Sequence, residues 1–193
     1  EVPKDHPVFT CFYKLDGYGY LPHERTHLWL IDARSGKAKQ LTDHPIWDES
    51  FPSFSPDGQW IVFTSNHSPD PDLEETDDLF LMSVAMDSAS KVAARKLKTP
   101  EGSKWMPSFS PDGKWLAYYG VDGKNYGYSY KNIGLWVIPV KGTKPARNLT
   151  GKYDLHTAPD VINDCGSTEW MHPTWSNDGQ TLYFQAALHG SAV

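Results

Sequence analysis

The chain has 193 residues, with 24 acidic and 18 basic side chains and a net charge of −6. This length suffices for one sizeable core, and the scattered basic residues argue against nucleic acid or an anionic membrane as a partner. Two cysteines, Cys11 and Cys165, exclude a disulfide scaffold but leave one bridge or two free thiols open, so neither cytoplasm nor periplasm is excluded. No apolar run approaches the ~18 residues of a membrane span, and the first residues do not resemble a signal peptide.

The first fifty residues predict part of a small sheet. A strand-like run at residues 8–13 is followed by a turn rich in glycine and tyrosine at residues 16–20. Two short segments at residues 28–31 and 39–42 flank another turn. We expect these two segments to be the last two strands of an incomplete sheet.

A heptapeptide then recurs and organises the rest of the chain. It reads Pro-Ser-Phe-Ser-Pro-Asp-Gly at residues 52–58 and 107–113, and Pro-Thr-Trp-Ser-Asn-Asp-Gly at 173–179, with starts 55 and 66 residues apart. Proline presets a turn, aspartate bonds to nearby amides, and glycine accepts a positive φ. Each copy therefore predicts a structural corner between two strands, built by Pro56, Asp57, Gly58, Pro111, Asp112, Gly113, Asp178 and Gly179.

The residues after each corner predict a buried strand. Residues 60–64, 115–119 and 181–184 are continuous apolar runs without alternation, as expected for strands covered on both faces. A third, apolar segment and a fourth short segment follow the first two corners. A four-stranded unit that recurs at this spacing predicts an all-β fold with antiparallel propeller blades.

The boundaries of the units predict one partial propeller domain over residues 1–193. We expect an incomplete blade at 1–50, complete blades at 51–105 and 106–150, a long linker at 151–172, and the start of a further blade at 173–193. Two complete and two partial blades do not make the usual ring of four to eight. We therefore expect a fragment of a larger propeller, whose free strand edges and uncovered blade face favour self-association.

The repeat text resembles the WD-like repeats of TolB-type propellers and of the propellers in prolyl-oligopeptidase-type serine peptidases. Further text is similar to the acylaminoacyl-peptidase and dipeptidyl-peptidase branch: Gly-Tyr-Gly-Tyr-Leu-Pro at 17–22, His-Leu-Trp-Leu-Ile-Asp at 27–32, and Ser-Asn-His-Ser-Pro-Asp-Pro-Asp at 65–72. The resemblance implies a propeller that gates an α/β-hydrolase domain carrying a Ser-Asp-His triad. It implies a parent enzyme that cleaves short or N-blocked peptides.

This chain has no Gly-x-Ser-x-Gly nucleophile elbow, so we expect no catalytic residue and no peptidase activity from it alone. Its expected partners are the missing blades, a C-terminal hydrolase domain and peptides, and we expect no cofactor. The alternative is a TolB-like protein-interaction propeller without peptidase activity. What the gene encodes beyond residue 193 would discriminate between the two.

One motif suggests zinc chemistry. His23, Glu24 and His27 match H-E-x-x-H, which binds zinc when both histidines share one face of a helix. Pro22 precedes the motif and a strand is expected at its end, so we interpret it as a chance match in a loop. His156, Cys165 and His172 in the linker lack metal-ligand spacing, and we expect no site there.

An acidic loop at residues 70–78 is the remaining candidate. It could attract a cation, or a substrate amine through Glu74 and Glu75, the pair that resembles the amine-binding glutamates of dipeptidyl peptidases. A calcium loop needs a glycine turn that is missing here. We therefore expect a solvated loop, and the substrate-binding residues stay unknown.

Overall fold

The computed structural model describes residues 13–15, 19–22, 24–74, 76–84, 93–123, 131–159 and 169–193. These described residues contain strands and turns but no helix, and so no helix that could cross a membrane. The strands are β1 (Lys14–Leu15), β2 (Gly19–Tyr20), β3 (Trp29–Ile31), β4 (Ala38–Gln40), β5 (Glu49–Phe54), β6 (Trp60–Ser65), β7 (Asp78–Ser83), β8 (Arg95–Lys96), β9 (Lys104–Phe109), β10 (Trp115–Gly120), β11 (Gly134–Pro139), β12 (Arg147–Asn148), β13 (Thr174–Trp175), β14 (Leu182–Tyr183), β15 (Ala187–Leu188) and β16 (Ser191–Ala192).

Four of the six sheets follow the repeat. Strands β5 to β8 and β9 to β12 form two four-stranded antiparallel meanders, which we call blades two and three. The pair β3–β4 is blade one, and the pair β13–β14 is blade four. The predicted all-β fold of four-stranded antiparallel blades is confirmed. The other two sheets are the hairpins β1–β2 and β15–β16.

The second strand of each complete blade is buried on both faces, as its apolar run predicts. Ile61 and Phe63 of β6 pack with Leu28 of blade one, whereas Val62 between them packs with Leu116 of blade three. Successive side chains of a strand point to opposite faces, so one strand contributes to two cores. The cores therefore lie between successive blades, and each blade depends on its neighbours for burial.

The first strands meet, while the fourth strands do not. Strand β9 contacts both β5 and β13, whereas β8 and β12 each contact only the strand beside them in their own blade. The blades therefore fan out from their first strands. The corners, the turn between β3 and β4 and the turn between β11 and β12 lie at one end of the fan, which we call the turn end. The described residues of the connections between second and third strands, and of those between blades, lie at the opposite end, the loop end.

The first strand of each complete blade is interrupted at the residue before its proline. Phe51 and Met106, at the same repeat position, both have φ near +52°. The pairing register shifts beside them, between Ser50 and Ser53 in blade two and opposite the step from Ala117 to Tyr119 in blade three. Proline has no amide N–H to donate to a neighbouring strand. At a bulge one residue is left out of the pairing, so the proline can be placed there without the loss of a backbone hydrogen bond.

Candidate functional site

The recurring corners share one hydrogen-bond pattern at the turn end. In the first corner, Ser55 Oγ donates to Asp57 Oδ1 (2.5 Å) and accepts from the Trp60 amide (2.9 Å), while Asp57 Oδ1 also accepts from the Gln59 amide (3.0 Å). Ser110 with Asp112 and Ser176 with Asp178 repeat these contacts. The bond from serine holds the pKa of all three aspartates below its usual value. Sequence reasoning missed the serine, although it recurs with the aspartate.

The corner glycines touch the neighbouring corner. Gly58, Gly113 and Gly179 have φ between +68° and +69°, a conformation that glycine adopts without steric cost. A Cβ placed on Gly113 would lie 3.7 Å from Cδ of Pro56, and one on Gly179 would lie 3.6 Å from Cδ of Pro111. Successive corners are therefore stacked, glycine against proline, along the turn end.

A buried ion pair lies at the loop end of the interface between blades two and three. We call each interface between successive blades a seam. The Lys104 side chain is 3% exposed, and its Nζ donates to Asp78 Oδ1 at 2.6 Å. Lys96 also contacts Asp78, while Trp105 Nε1 donates to Asp77 Oδ2 at 3.1 Å. Burial lowers the pKa of Lys104 and raises the pKa of Asp77. The bond from Lys104 to Asp78 and the bond from Trp105 to Asp77 oppose these two shifts.

The seam between blades one and two has the same layout, with the acidic and the basic residue in exchanged positions. His27 Nδ1 lies 2.9 Å from Oε2 of Glu49, whose side chain is 2% exposed, and Thr42 Oγ1 donates to the same oxygen at 2.7 Å. Glu49 and Lys104 occupy the same repeat position, as do His27 and Asp78. Residues of opposite character therefore pair across each of the two seams.

The third seam replaces the ion pair by an aromatic contact. The equivalent positions are Gly134 and Trp170. Trp170 makes edge-to-face contacts with Tyr119 and Trp105, at centroid distances of 6.3 and 6.4 Å. Each seam is thus chemically distinct, which disfavours pairing of blades in the wrong order.

A stack of four rings lies beside the first two seams at the loop end. His44 stacks on Trp47 (3.5 Å between centroids), Trp47 on His67 (3.7 Å), and His67 against Phe80 (3.8 Å). Burial, with His44 nearby, lowers the pKa of His67 to about 4. The stack ties the connection that enters blade two to the loop between its second and third strands.

The zinc-like motif lies in irregular chain where it is described. His23 is outside the described residues, Glu24 is exposed, and His27 is bonded to Glu49. Among the described residues, no three histidine, cysteine or acidic side chains are placed to hold a metal ion. The linker histidines are separately engaged: His172 Nδ1 lies 2.8 Å from the Pro107 carbonyl oxygen, and His156 accepts from the Ile133 amide. Cys165 and Cys11 lie outside the described residues.

The acidic loop is solvated only in part. Glu74 is exposed, and Glu75 is outside the described residues. The expectation of a solvated loop is wrong for Asp78, which is 9% exposed, because the loop turns inward there to meet Lys104. An alignment of the repeats could have indicated that Asp78 is a pairing residue. It places Asp78 at the position of His27, and Lys104 at the position of Glu49, the residue that contacts His27.

Two cavities flank the seam between blades two and three. One of about 760 Å³ opens at the loop end and is lined by His67, Lys96 and Glu101 among others. The other, of about 820 Å³, opens at the turn end between the corners of the two blades and is lined by Trp60 and Trp115. The turn-end cavity was not anticipated from the sequence.

Known proteins match the chain in sequence and in fold, although no protein-family model does. The chain is 33% identical over 184 residues to the uncharacterized peptidase YuxL of Bacillus subtilis, covering 93% of the chain and 26% of that protein. It is 32% identical over 173 residues to dipeptidyl-peptidase 5 of Arthroderma otae, covering 81% and 22%. The chain thus spans about a quarter of the length of these relatives.

Solved structures share the fold. The match to a putative TolB from Agrobacterium tumefaciens covers 84% of this chain and 50% of the TolB chain, with a TM-score of 0.58 and 22% identity. TolB from Acinetobacter baumannii matches 88% of the chain and 34% of its own, with a TM-score of 0.56 and 17% identity. The resemblance inferred from the sequence is confirmed. The chain is a partial TolB-like β-propeller, related to the propellers of peptidases.

Proposed function

We propose that this chain is part of a non-catalytic propeller that restricts access to the hydrolase domain of a serine peptidase acting on short or N-blocked peptides. The sequence relatives are named peptidases, and about three quarters of their length lies outside the match. A catalytic domain elsewhere in the parent protein fits this partial coverage.

The convergence of the first strands carries the proposal. Strands β5, β9 and β13 meet at the inner edge of the fan, so they would line a passage if further blades closed the ring. Side-chain bonds tie the last two of them together: Ser108 Oγ donates to the Pro173 carbonyl (2.5 Å), and His172 contacts the Pro107 carbonyl. A passage with tied walls admits an extended peptide and excludes a folded protein.

Loosening this inner edge in the intact protein tests the proposal. Ser108→Ala with His172→Ala removes two bonds worth about 1 kcal/mol each, so opening should become roughly 30-fold easier. We expect faster cleavage of a folded protein substrate and unchanged kcat on a short chromogenic peptide. The matched control is Ser53→Ala, the same repeat position in blade two. An unchanged ratio between the two substrates would contradict gating.

The alternative is a TolB-like interaction propeller without peptidase activity, favoured by two TolB neighbours that span more than four fifths of the chain. Labelling of the intact protein with a fluorophosphonate probe separates the two functions. A labelled serine outside residues 1–193 supports the peptidase. Absence of labelling and of peptide hydrolysis supports the interaction module.

Further blades of the parent are the proposed partners of blade one. In its strand β3, Trp29 is 57% exposed and Ile31 is 62% exposed. Two large apolar side chains exposed side by side mark a surface that usually contacts another protein. The chain expressed alone should therefore self-associate. Sedimentation velocity checks this, and Trp29→Ser with Ile31→Ser should restore the monomer. A monomer without these substitutions would contradict it.

A further inference from the structure

The turn end carries a groove with an aromatic floor between blades two and three. The corners of the two blades form two of its sides, and the turn after β11 forms another. Trp60 lines it and remains 38% exposed, whereas Trp115 lies at its edge and also lines the cavity between blades three and four. A large exposed indole in a concave site provides apolar contact area at low entropic cost.

Cations surround this floor. Arg95, Lys114, Lys141 and Lys144 all line the groove. Arg95 Nη2 donates to the Val140 carbonyl at 3.1 Å, which fixes its position on the wall, and Lys114 forms a long, exposed contact of 3.3 Å with Asp112. Of the described residues, none forms a salt bridge with Lys141 or Lys144.

The acidic side chains of the groove are already engaged. Asp57 and Asp112 accept bonds from their corner serines and from backbone amides. The serine bond holds the pKa of both carboxyl groups below its usual value. The four cations outnumber these two carboxylates, so the groove is a local basic site on a chain whose net charge is −6.

We propose that this groove binds an extended acidic peptide segment of a separate protein, with an apolar or proline residue on Trp60 and carboxylates at the four cations. Charge complementarity selects the ligand and accelerates its association. Permanent interfaces are more hydrophobic than transient ones, and lysine is depleted from the buried core of interfaces in general. A rim with three lysines, of which the Lys114 side chain is 76% exposed, therefore fits a transient partner better than a fixed domain contact.

Binding of labelled peptides to the intact protein tests the proposal by fluorescence anisotropy. The probe is an octapeptide with four glutamates around a central Pro-Leu, and the comparison peptide replaces each glutamate by glutamine. We expect saturable binding of the acidic peptide, weakened by salt, and at least tenfold weaker binding of the neutral one. Lys141→Gln with Lys144→Gln should weaken the acidic peptide about fivefold, since each exposed pair contributes modestly.

The matched control is Arg34→Gln with Lys37→Gln, which removes two charges from the equivalent turn of blade one, outside the groove. This control should change affinity less than twofold, and Trp60→Ala should weaken binding without changing its salt dependence. Equal losses in both charge variants would show non-specific attraction and overturn the proposal. So would the absence of saturable binding, equal affinity for the neutral peptide, or tighter binding of a single-stranded oligonucleotide of the same charge.

Discussion

Replacing Lys104 by methionine should open the seam between blades two and three. The change leaves Asp78, whose side chain is 12% exposed, without its buried partner. Breaking a buried pair by removing one member costs about 3–5 kcal/mol. Asp78 keeps Lys96, which is 59% exposed and gives only a screened interaction, so we place the cost near the lower limit, at about 3 kcal/mol.

Hydrogen exchange of the intact protein, followed by mass spectrometry, measures this cost locally. A loss of about 3 kcal/mol corresponds to roughly 100-fold faster exchange of the amides in β7 and β9, with little change in β3 and β4. The control is Lys114→Met, which breaks an exposed pair and should cost less than about 0.5 kcal/mol. Asp78→Leu combined with Lys104→Met should recover most of the loss, because no buried charge is then left unpaired. Equal exchange in Lys104→Met and Lys114→Met would refute the reasoning.

Three further perturbations test the loop end, the backbone and the corners. Burial lowers the pKa of His67 from 6.5 to about 4, so the opened form takes up the proton at a higher pH than the closed form does. The protection of the adjoining loop against exchange should therefore fall as the pH is lowered from 6.5 to about 4, and should level off below that. His67→Phe should remove this dependence. Gly102→Ala should destabilise far more than Gly58→Ala, because its Cβ would lie 2.1 Å from the Val121 carbonyl oxygen, whereas Gly58 has open space and loses only about 1 kcal/mol to its positive φ. Ser110→Ala removes two corner bonds and should cost about 1–2 kcal/mol in thermal unfolding.

Each of these perturbations has an outcome that would contradict it. If the His67→Phe variant keeps the pH dependence of exchange, a group other than His67 causes that dependence. Equal melting temperatures for the two alanine variants would mean that the backbone at Gly102 relaxes freely. An unchanged melting temperature for Ser110→Ala would mean that water replaces the serine at the corner.

The repeats made the fold predictable, since each corner combines three residues with distinct backbone roles. The strands after Gly58 and Gly113 are buried on both faces, as an apolar run without alternation predicts. The same prediction is wrong for the run at residues 181–184, where Tyr183 is 64% exposed because, in the described part of the chain, blade four has no neighbour covering that face. The positive φ of Phe51 and Met106 was not predictable, because neither residue favours that conformation and only the register across the sheet requires it.

The seams were hidden for a different reason. Glu49 and Lys104 look like ordinary charged residues at the start of strands, and their burial depends on a partner in the neighbouring blade. A single repeat contains no sign of that partner. The turn-end groove is equally non-local, because it forms only when two corners and a turn of the next blade meet.

A cryo-EM or crystal structure of the intact protein is the most direct test that this chain is part of a propeller whose first strands surround a passage. Strands β5, β9 and β13 should face the passage, with β8 and β12 at the outer rim and a further blade covering Trp29. The central claim is contradicted if the fourth strands lie at the axis, or if the sheets pack face to face as a closed sandwich with no passage.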